Sequence, residues 1–162
     1  MIPIISVVGF SNSGKTTLLV KIIKEIKKRG YKVAIIKHHS HDFDIDHEGK
    51  DTYLHAKAGA DTVVISSPTK YAIVSKVEDE KTIDELAKNI KDVDIIITEG
   101  YKSGNKPKIE VFRKALNREG LFCSPQELIA IASDFEFNNG IPCFSLDDAN
   151  GIVELIIKEF LI

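Results

Sequence analysis

At 162 residues, with 43% hydrophobic and 28% charged side chains, the chain has the length and balance of one globular domain with a real core. Its formal net charge of −2 offers no overall basic surface to nucleic acid, and no run of about 18 apolar residues is present to span a membrane. The opening MIPIISVVGF lacks the basic region of a signal peptide, and Cys123 and Cys143 make neither a disulfide framework nor a Cys-x-x-Cys metal pair. The expectation is a cytoplasmic protein with buried or incidental thiols.

Short β-branched runs alternate with helical patterns, the signature of a parallel α/β sheet flanked by helices. Residues 3–8 predict the first strand. A helix over 15–29 follows, with Leu18, Leu19, Ile22, Ile23 and Ile26 on one stripe and Lys21, Lys24 and Lys28 opposite. Gly30 stops it, after Lys27, Lys28 and Arg29 have complemented its negative end. KVAIIK (32–37) predicts the second strand. The polar segment 38–50 leads to a short helix near 51–58, with Asp51 or Thr52 placed to cap it. In 61–77, DTVVISSPTKYAIVSKV, two β-rich runs flank Ser66-Ser67-Pro68 and read as a hairpin attached to the parallel sheet. A helix at 81–90, strands at 93–98, 108–112, 127–133 and 142–145, and a helix at 149–160 complete the pattern. No repeat, low-complexity linker or second domain is visible, so residues 1–162 read as one nucleotide-binding domain.

Between the first strand and the first helix, Gly9-Phe10-Ser11-Asn12-Ser13-Gly14-Lys15-Thr16 fits G-x-x-x-x-G-K-[ST] in full and in the required context. Glycines let the backbone form a nest whose N–H groups point at one anion, and the helix that starts there adds its positive end. Lys15 reaches the outer phosphates, and the Thr16 hydroxyl suits Mg²⁺. A magnesium-bound triphosphate also needs a carboxylate at a neighbouring strand end. Glu99 in VDIIITEG is the candidate, holding the metal's water shell or orienting an attacking water, with Gly100 allowing close backbone approach. The alternative is a surface glutamate at a strand end. Asp94 reads as the polar boundary of that strand.

With GFSNSGKTTL, KHHSHDFDIDHEGKDTYLHAKAGA, TEGYK and KIEVFR in this order, the chain resembles the MobB family of molybdopterin-guanine dinucleotide biosynthesis proteins over roughly residues 3 to 134. The resemblance implies a P-loop NTPase fold and a small GTP-binding protein, usually dimeric, that assists the joining of GMP to molybdopterin. The nucleotidyl transfer itself would belong to a partner, MobA. Carried over by motif, Gly14, Lys15, Thr16 and Thr17 would bind phosphates. Residues of 38–50, among them His38, His39 and Asp42, and Glu99-Gly100 would line the γ-phosphate and metal side, with Lys37 at the end of the second strand beside them.

Other readings of the same residues stand beside this one. The segment His38–His47 is a γ-phosphate-sensing loop, a solvated loop, or a transition-metal site of the kind a metallochaperone GTPase would use. His55 reads as a packed or surface histidine. No N-K-x-D is present, since NKPK at 105–108 lacks the aspartate. Asp134, after the strand ending at Ser133, is the candidate reader of guanine, because a carboxylate accepts from both guanine N1–H and the amino group. Its alternative is a cap or loop aspartate. KIEVFR places Lys108, Glu110 and Arg113 as candidates for the γ-phosphate side, or Glu110 as an exposed strand residue. A small-molecule phosphotransferase would want an arginine-bearing lid. Arg29, Arg113 and Arg118 are the only arginines, and no lid insertion is evident. The 62–77 hairpin suits pairing across a twofold axis, so a homodimer is expected, and because no arginine is an obvious finger for the developing phosphoryl charge, GTPase activity is expected to be weak.

Overall fold

Parallel strands buried on both faces read as near-continuous apolar runs, and such runs recur among the six strands of the main sheet in this computed structural model, which describes residues 1–116 and 120–161. The strands are β1 (Ile4–Gly9), β2 (Val33–Lys37), β5 (Ile95–Glu99), β6 (Lys108–Phe112), β7 (Leu128–Ser133) and β8 (Cys143–Ser145). They lie in the order β2-β5-β1-β6-β7-β8, all parallel. The chain forms two compact units: Met1–His38 with Ile83–Ile162, which holds this sheet, and His39–Thr82.

Alternation along the strands sends one set of side chains to a helical layer. Ile5 and Val7, Ile95 and Ile97, Ile109 and Val111, Ala130 and Ala132 share one core with α1 (Lys15–Lys28) and α4 (Ala149–Phe160). Leu18, Leu19, Ile22 and Ile26 of α1 are fully buried, the stripe that the 3.6-residue period requires. Each such side chain is worth about 1.5–3 kcal/mol of burial. The helix ends as read. Gly30 takes φ 88, and the N–H groups of Gly30 and Tyr31 donate to Lys27 O and Ile26 O at 3.1 and 3.3 Å, a Schellman closure. Asp148 caps α4 by accepting from Gly151 N at 2.9 Å.

The opposite face buries polar groups beside apolar ones. Thr98 Oγ1 donates to Ser6 Oγ at 2.8 Å, and Lys108 and Glu110 have no exposed surface. Residues 121–123, Phe137 and Ile141 cover Val8, Leu128 and Ile131 there. An irregularity beside Lys108/Ile109 inserts Ile129 between the residues pairing with those positions. The 81–90 helix is shorter than expected: α3 spans Ile83–Ala87, and Asn89 and Ile90 close i→i−3 turns after it. Among the described residues no helix is long and apolar enough to cross a membrane.

In the second unit, α2 (Asp51–Lys57) follows the 39–50 loop, and β3 (Thr62–Ser66) pairs antiparallel with β4 (Tyr71–Ser75). Two expectations are corrected here. The hairpin is not a strand pair of the parallel sheet but a separate two-stranded sheet. Its turn is closed locally, by Ser67 N donating to Lys70 O at 2.8 Å and Ser67 Oγ accepting from Lys70 N at 3.2 Å. Asp51 and Thr52 do not cap α2 either. Lys50 holds the N-cap position with no side-chain bond, and Asp51 and Thr52 are already helical.

Candidate functional site

The end of β1 and the start of α1 define the site. Gly9 passes so close to β6 that an added Cβ would stand 2.6 Å from Val111 O. Asn12 and Gly14 turn the loop with left-handed φ values of 63 and 97, which Asn tolerates and Gly favours. Gly14 is the N-cap of α1 and supplies no side-chain bond, and no acidic residue occupies the first turn. The first-turn N–H groups are therefore left facing a cavity of about 330 Å³ lined by Asn12, Gly14, Lys15, Thr16 and Thr17. Ser11 is exposed on the loop, and Ser13 is buried with its hydroxyl unpaired among the described residues.

Lys15 Nζ donates to two carbonyls of its own loop, Gly9 O at 3.1 Å and Phe10 O at 2.7 Å. Burial holds its pKa below the ordinary lysine value. Glu99 opposes that shift, and Lys102 and Lys37 add to it. Parallel register explains why Glu99 is close: it lies beside Val7 of β1 on one side and Lys37 of β2 on the other. Thr16 Oγ1 donates to Glu99 Oε1 at 2.8 Å, and Lys37 Nζ stands 3.6 Å from the same oxygen. His38 N donates to Glu99 O at 2.9 Å, and Gly100 N donates to Val7 O at 3.0 Å. A Cβ on Gly100 would press His38 Cβ at 3.2 Å, so glycine here permits the close crossing of β2 and β5.

Thus the glycine loop, Lys15, Thr16, Thr17, Lys37, His38, Glu99 and Gly100 come together at the carboxyl ends of β1, β2 and β5. Asp134 stands at the same end of the sheet, beyond β6. Its Oδ1 accepts from Lys114 N at 2.8 Å, and its side chain borders an open cleft of about 370 Å³ with Ser133, Phe135, Cys143, Phe144 and Ser145. His39 and Asp42 belong to the second unit, where both are exposed. Among the described residues, no three His, Cys, Asp or Glu side chains are grouped to hold a metal ion.

The reading of Lys108 and Glu110 as γ-phosphate-side residues is corrected. Lys108 sits three residues down β6 from Val111, the partner of Gly9, and its buried ammonium donates to Gly104 O and Glu127 Oε1, both at 2.5 Å. Glu110 is wholly buried, accepting from Phe122 N and Cys123 N at 3.0 Å each. Both side chains fasten the 120–127 segment to the sheet. Arg113 does reach the glycine loop, where its Nε donates to Ser13 O at 3.3 Å. Arg118 lies outside the described residues. Sequence reasoning missed Lys102, whose ammonium lies over the rings of Phe10 and Phe122, because nothing local ties positions 10, 102 and 122 together.

The donors present fit a phosphate chain carrying magnesium: unpaired first-turn N–H groups, an ammonium beside them, and a hydroxyl already paired with a carboxylate. Comparison with known proteins identifies the family. Residues 4–134 match the family model described as MobB, molybdopterin guanine dinucleotide synthesis protein B. The molybdopterin-guanine dinucleotide biosynthesis adapter protein of Escherichia coli (strain K12) is 34% identical over 98% of this chain and 93% of its own. That of Haemophilus influenzae is 34% identical over 72% and 67%. The crystal structure of Bacillus subtilis MobB superposes with a TM-score of 0.78 at 28% identity, covering 98% of both chains. The glycine loop and the Thr16–Glu99 pair both fall within the matched span, and the chain belongs to the MobB family.

Proposed function

We propose that this protein is an adapter in molybdopterin guanine dinucleotide synthesis that binds Mg²⁺·GTP at the glycine loop and works, as a homodimer in the cytoplasm, with the nucleotidyltransferase MobA. The observation that carries the reading is the Thr16–Glu99 hydrogen bond beside Lys15 and an uncapped helix N-terminus, within a chain of this family. In this reading the loop N–H groups and Lys15 hold the phosphates, and Thr16 with Glu99 holds the magnesium and its water shell. Bound magnesium would neutralise phosphate charge. Glu99 would also orient water, and Asp134 would accept from guanine through the oxygen that Lys114 N leaves free.

Two other readings have less support. A phosphotransferase would want an arginine-bearing lid, and among the described residues Arg29 is tied to Glu25, Asn150 and Glu154, and Arg113 to the Ser13 carbonyl. A metallochaperone needs converging ligands, and none are grouped among the described residues.

A thermal-shift panel of GTP, GDP and ATP, each with and without Mg²⁺, tests the reading. A ligand at a hundredfold excess over Kd stabilises by about 2.7 kcal/mol. Mg²⁺·GTP should raise Tm and ATP should not, while hydrolysis by the protein alone stays near the unassisted range of about 10⁻⁴–10⁻² s⁻¹. No shift with GTP, or dinucleotide formed from GTP and molybdopterin without MobA, would overturn it.

A further inference from the structure

We propose that Lys102 makes this site prefer a nucleoside triphosphate to the diphosphate, its ammonium being delivered to the terminal phosphate from a platform formed by the rings of Phe10 and Phe122. The inference rests on the nucleotide-binding reading above and assigns its specificity to a residue outside the glycine-loop motif.

Geometry carries it. Lys102 Nζ lies 5.0 Å from the Phe10 ring centroid and 5.1 Å from that of Phe122, and the two rings meet edge to face at 5.4 Å. Phe10 is itself a glycine-loop residue, and its carbonyl accepts the Lys15 ammonium at 2.7 Å. Lys102 is therefore held beside the lysine that the motif directs to the outer phosphates. An exposed lysine ordinarily samples many rotamers, whereas two aromatic faces confine this one.

The backbone is built for the same placement. Gly100 and Tyr101 are consecutive residues with left-handed φ values, 99 and 54. For tyrosine that conformation is costly and persists only where its surroundings impose it. Here the Tyr101 ring packs on His38 at 4.7 Å, and Tyr101 O accepts from Gly104 N at 3.1 Å. The double turn brings the chain off Glu99 and back toward the glycine loop, with Lys102 next in line.

Charge points to the ligand. Lys15, Lys37 and Lys102 all act electrostatically in this site, against the single carboxylate of Glu99. With the Arg113 guanidinium at the same loop, the excess is positive. A magnesium nucleoside triphosphate carries about one more negative charge than the diphosphate near neutral pH, so the triphosphate offsets this excess more fully.

Calorimetric titration with Mg²⁺·GDP and with the non-hydrolysable guanosine 5′-(β,γ-imido)triphosphate tests this without relying on turnover. Wild type should bind the triphosphate analogue more tightly. Lys102→Gln, at an exposed position that leaves the fold intact by circular dichroism, should lower analogue affinity by about 10–100-fold, the worth of one charge-assisted hydrogen bond. GDP affinity should change less than about twofold, because the lost contact is to the missing phosphate. Lys102→Arg should restore most of the preference, and Phe122→Leu should weaken it in part by removing one ring of the platform. An unchanged analogue-to-GDP ratio in Lys102→Gln, equal losses for both ligands, or no preference in wild type would overturn this inference alone. Wild type binding neither nucleotide would overturn the nucleotide-binding reading and this inference with it.

Discussion

Lys15 and Asp134 are the two residues whose substitution separates phosphate binding from base choice. Lys15 Nζ rests on Gly9 O and Phe10 O, bonds that water can replace, and its side chain is only half-buried. Lys15→Ala should therefore keep the fold while weakening Mg²⁺·GTP binding by about 100-fold or more, as loss of a direct ion contact to phosphate. Calorimetry on the folded variant measures this, and wild-type affinity would remove the glycine loop from the site. Asp134 keeps one carboxylate oxygen on Lys114 N. Asp134→Asn replaces an acceptor by a donor on the other side, so the protein should lose preference for GTP and gain it for XTP, whose carbonyl accepts from an amide. Competition among GTP, XTP and ATP reads the switch, and unchanged ratios would leave Asp134 a loop aspartate.

β6 shows how an element can carry charge without touching a ligand. Glu110 satisfies two backbone N–H groups of the covering segment, that of Cys123 buried and that of Phe122 partly so. Glu110→Ala leaves both unpaired, at about 1–3 kcal/mol each, which urea denaturation should show as a lower midpoint. Burial, reinforced by the neighbouring Glu110 carboxylate, pushes the Cys123 thiol up to about 12. Its alkylation at pH 8 should await unfolding. At the other end of the strand, the Lys108 ammonium and then Ser124 hold the Glu127 carboxyl down at about 2, below its ordinary 4.5. A depressed carboxylate pKa stabilises the fold above the ordinary value, and that contribution disappears as pH falls from about 4.5 to 2. Glu127→Gln should be less stable at neutral pH and flatter through that acid window. An unchanged acid profile would mean the pair is broken in solution.

For the whole molecule, the hairpin unit is what calls for a second copy. Val64, Ile65 and Ile73 are more than half exposed, as is Tyr71. Two strands alone are marginal in water, and their outer edges offer unpaired backbone groups. Pairing across a twofold axis would satisfy both, so sedimentation or light scattering should find two 18.0 kDa chains together. Val64→Lys with Ile73→Lys, opposite one another across the hairpin, should dissociate them. A concentration-independent monomer in wild type would refute the assembly.

The residues that could be read in sequence are those whose chemistry is local. The glycine loop, the α1 stripe closed at Gly30, and the buried β5 run ending in Glu99 each depend on neighbours within a few positions, where period and turn chemistry act. The family followed from the same motifs. Tertiary structure decided what depends on distant partners. Lys108 and Glu110 look like alternating, ligand-ready charges on a strand, but the 120–127 segment folds over them and takes up their bonds. The hairpin's separation from the main sheet depended on which edges find partners. Lys102 acquired its place only when positions 10 and 122 met beside it, a contact between residues 112 positions apart in sequence that no local period encodes.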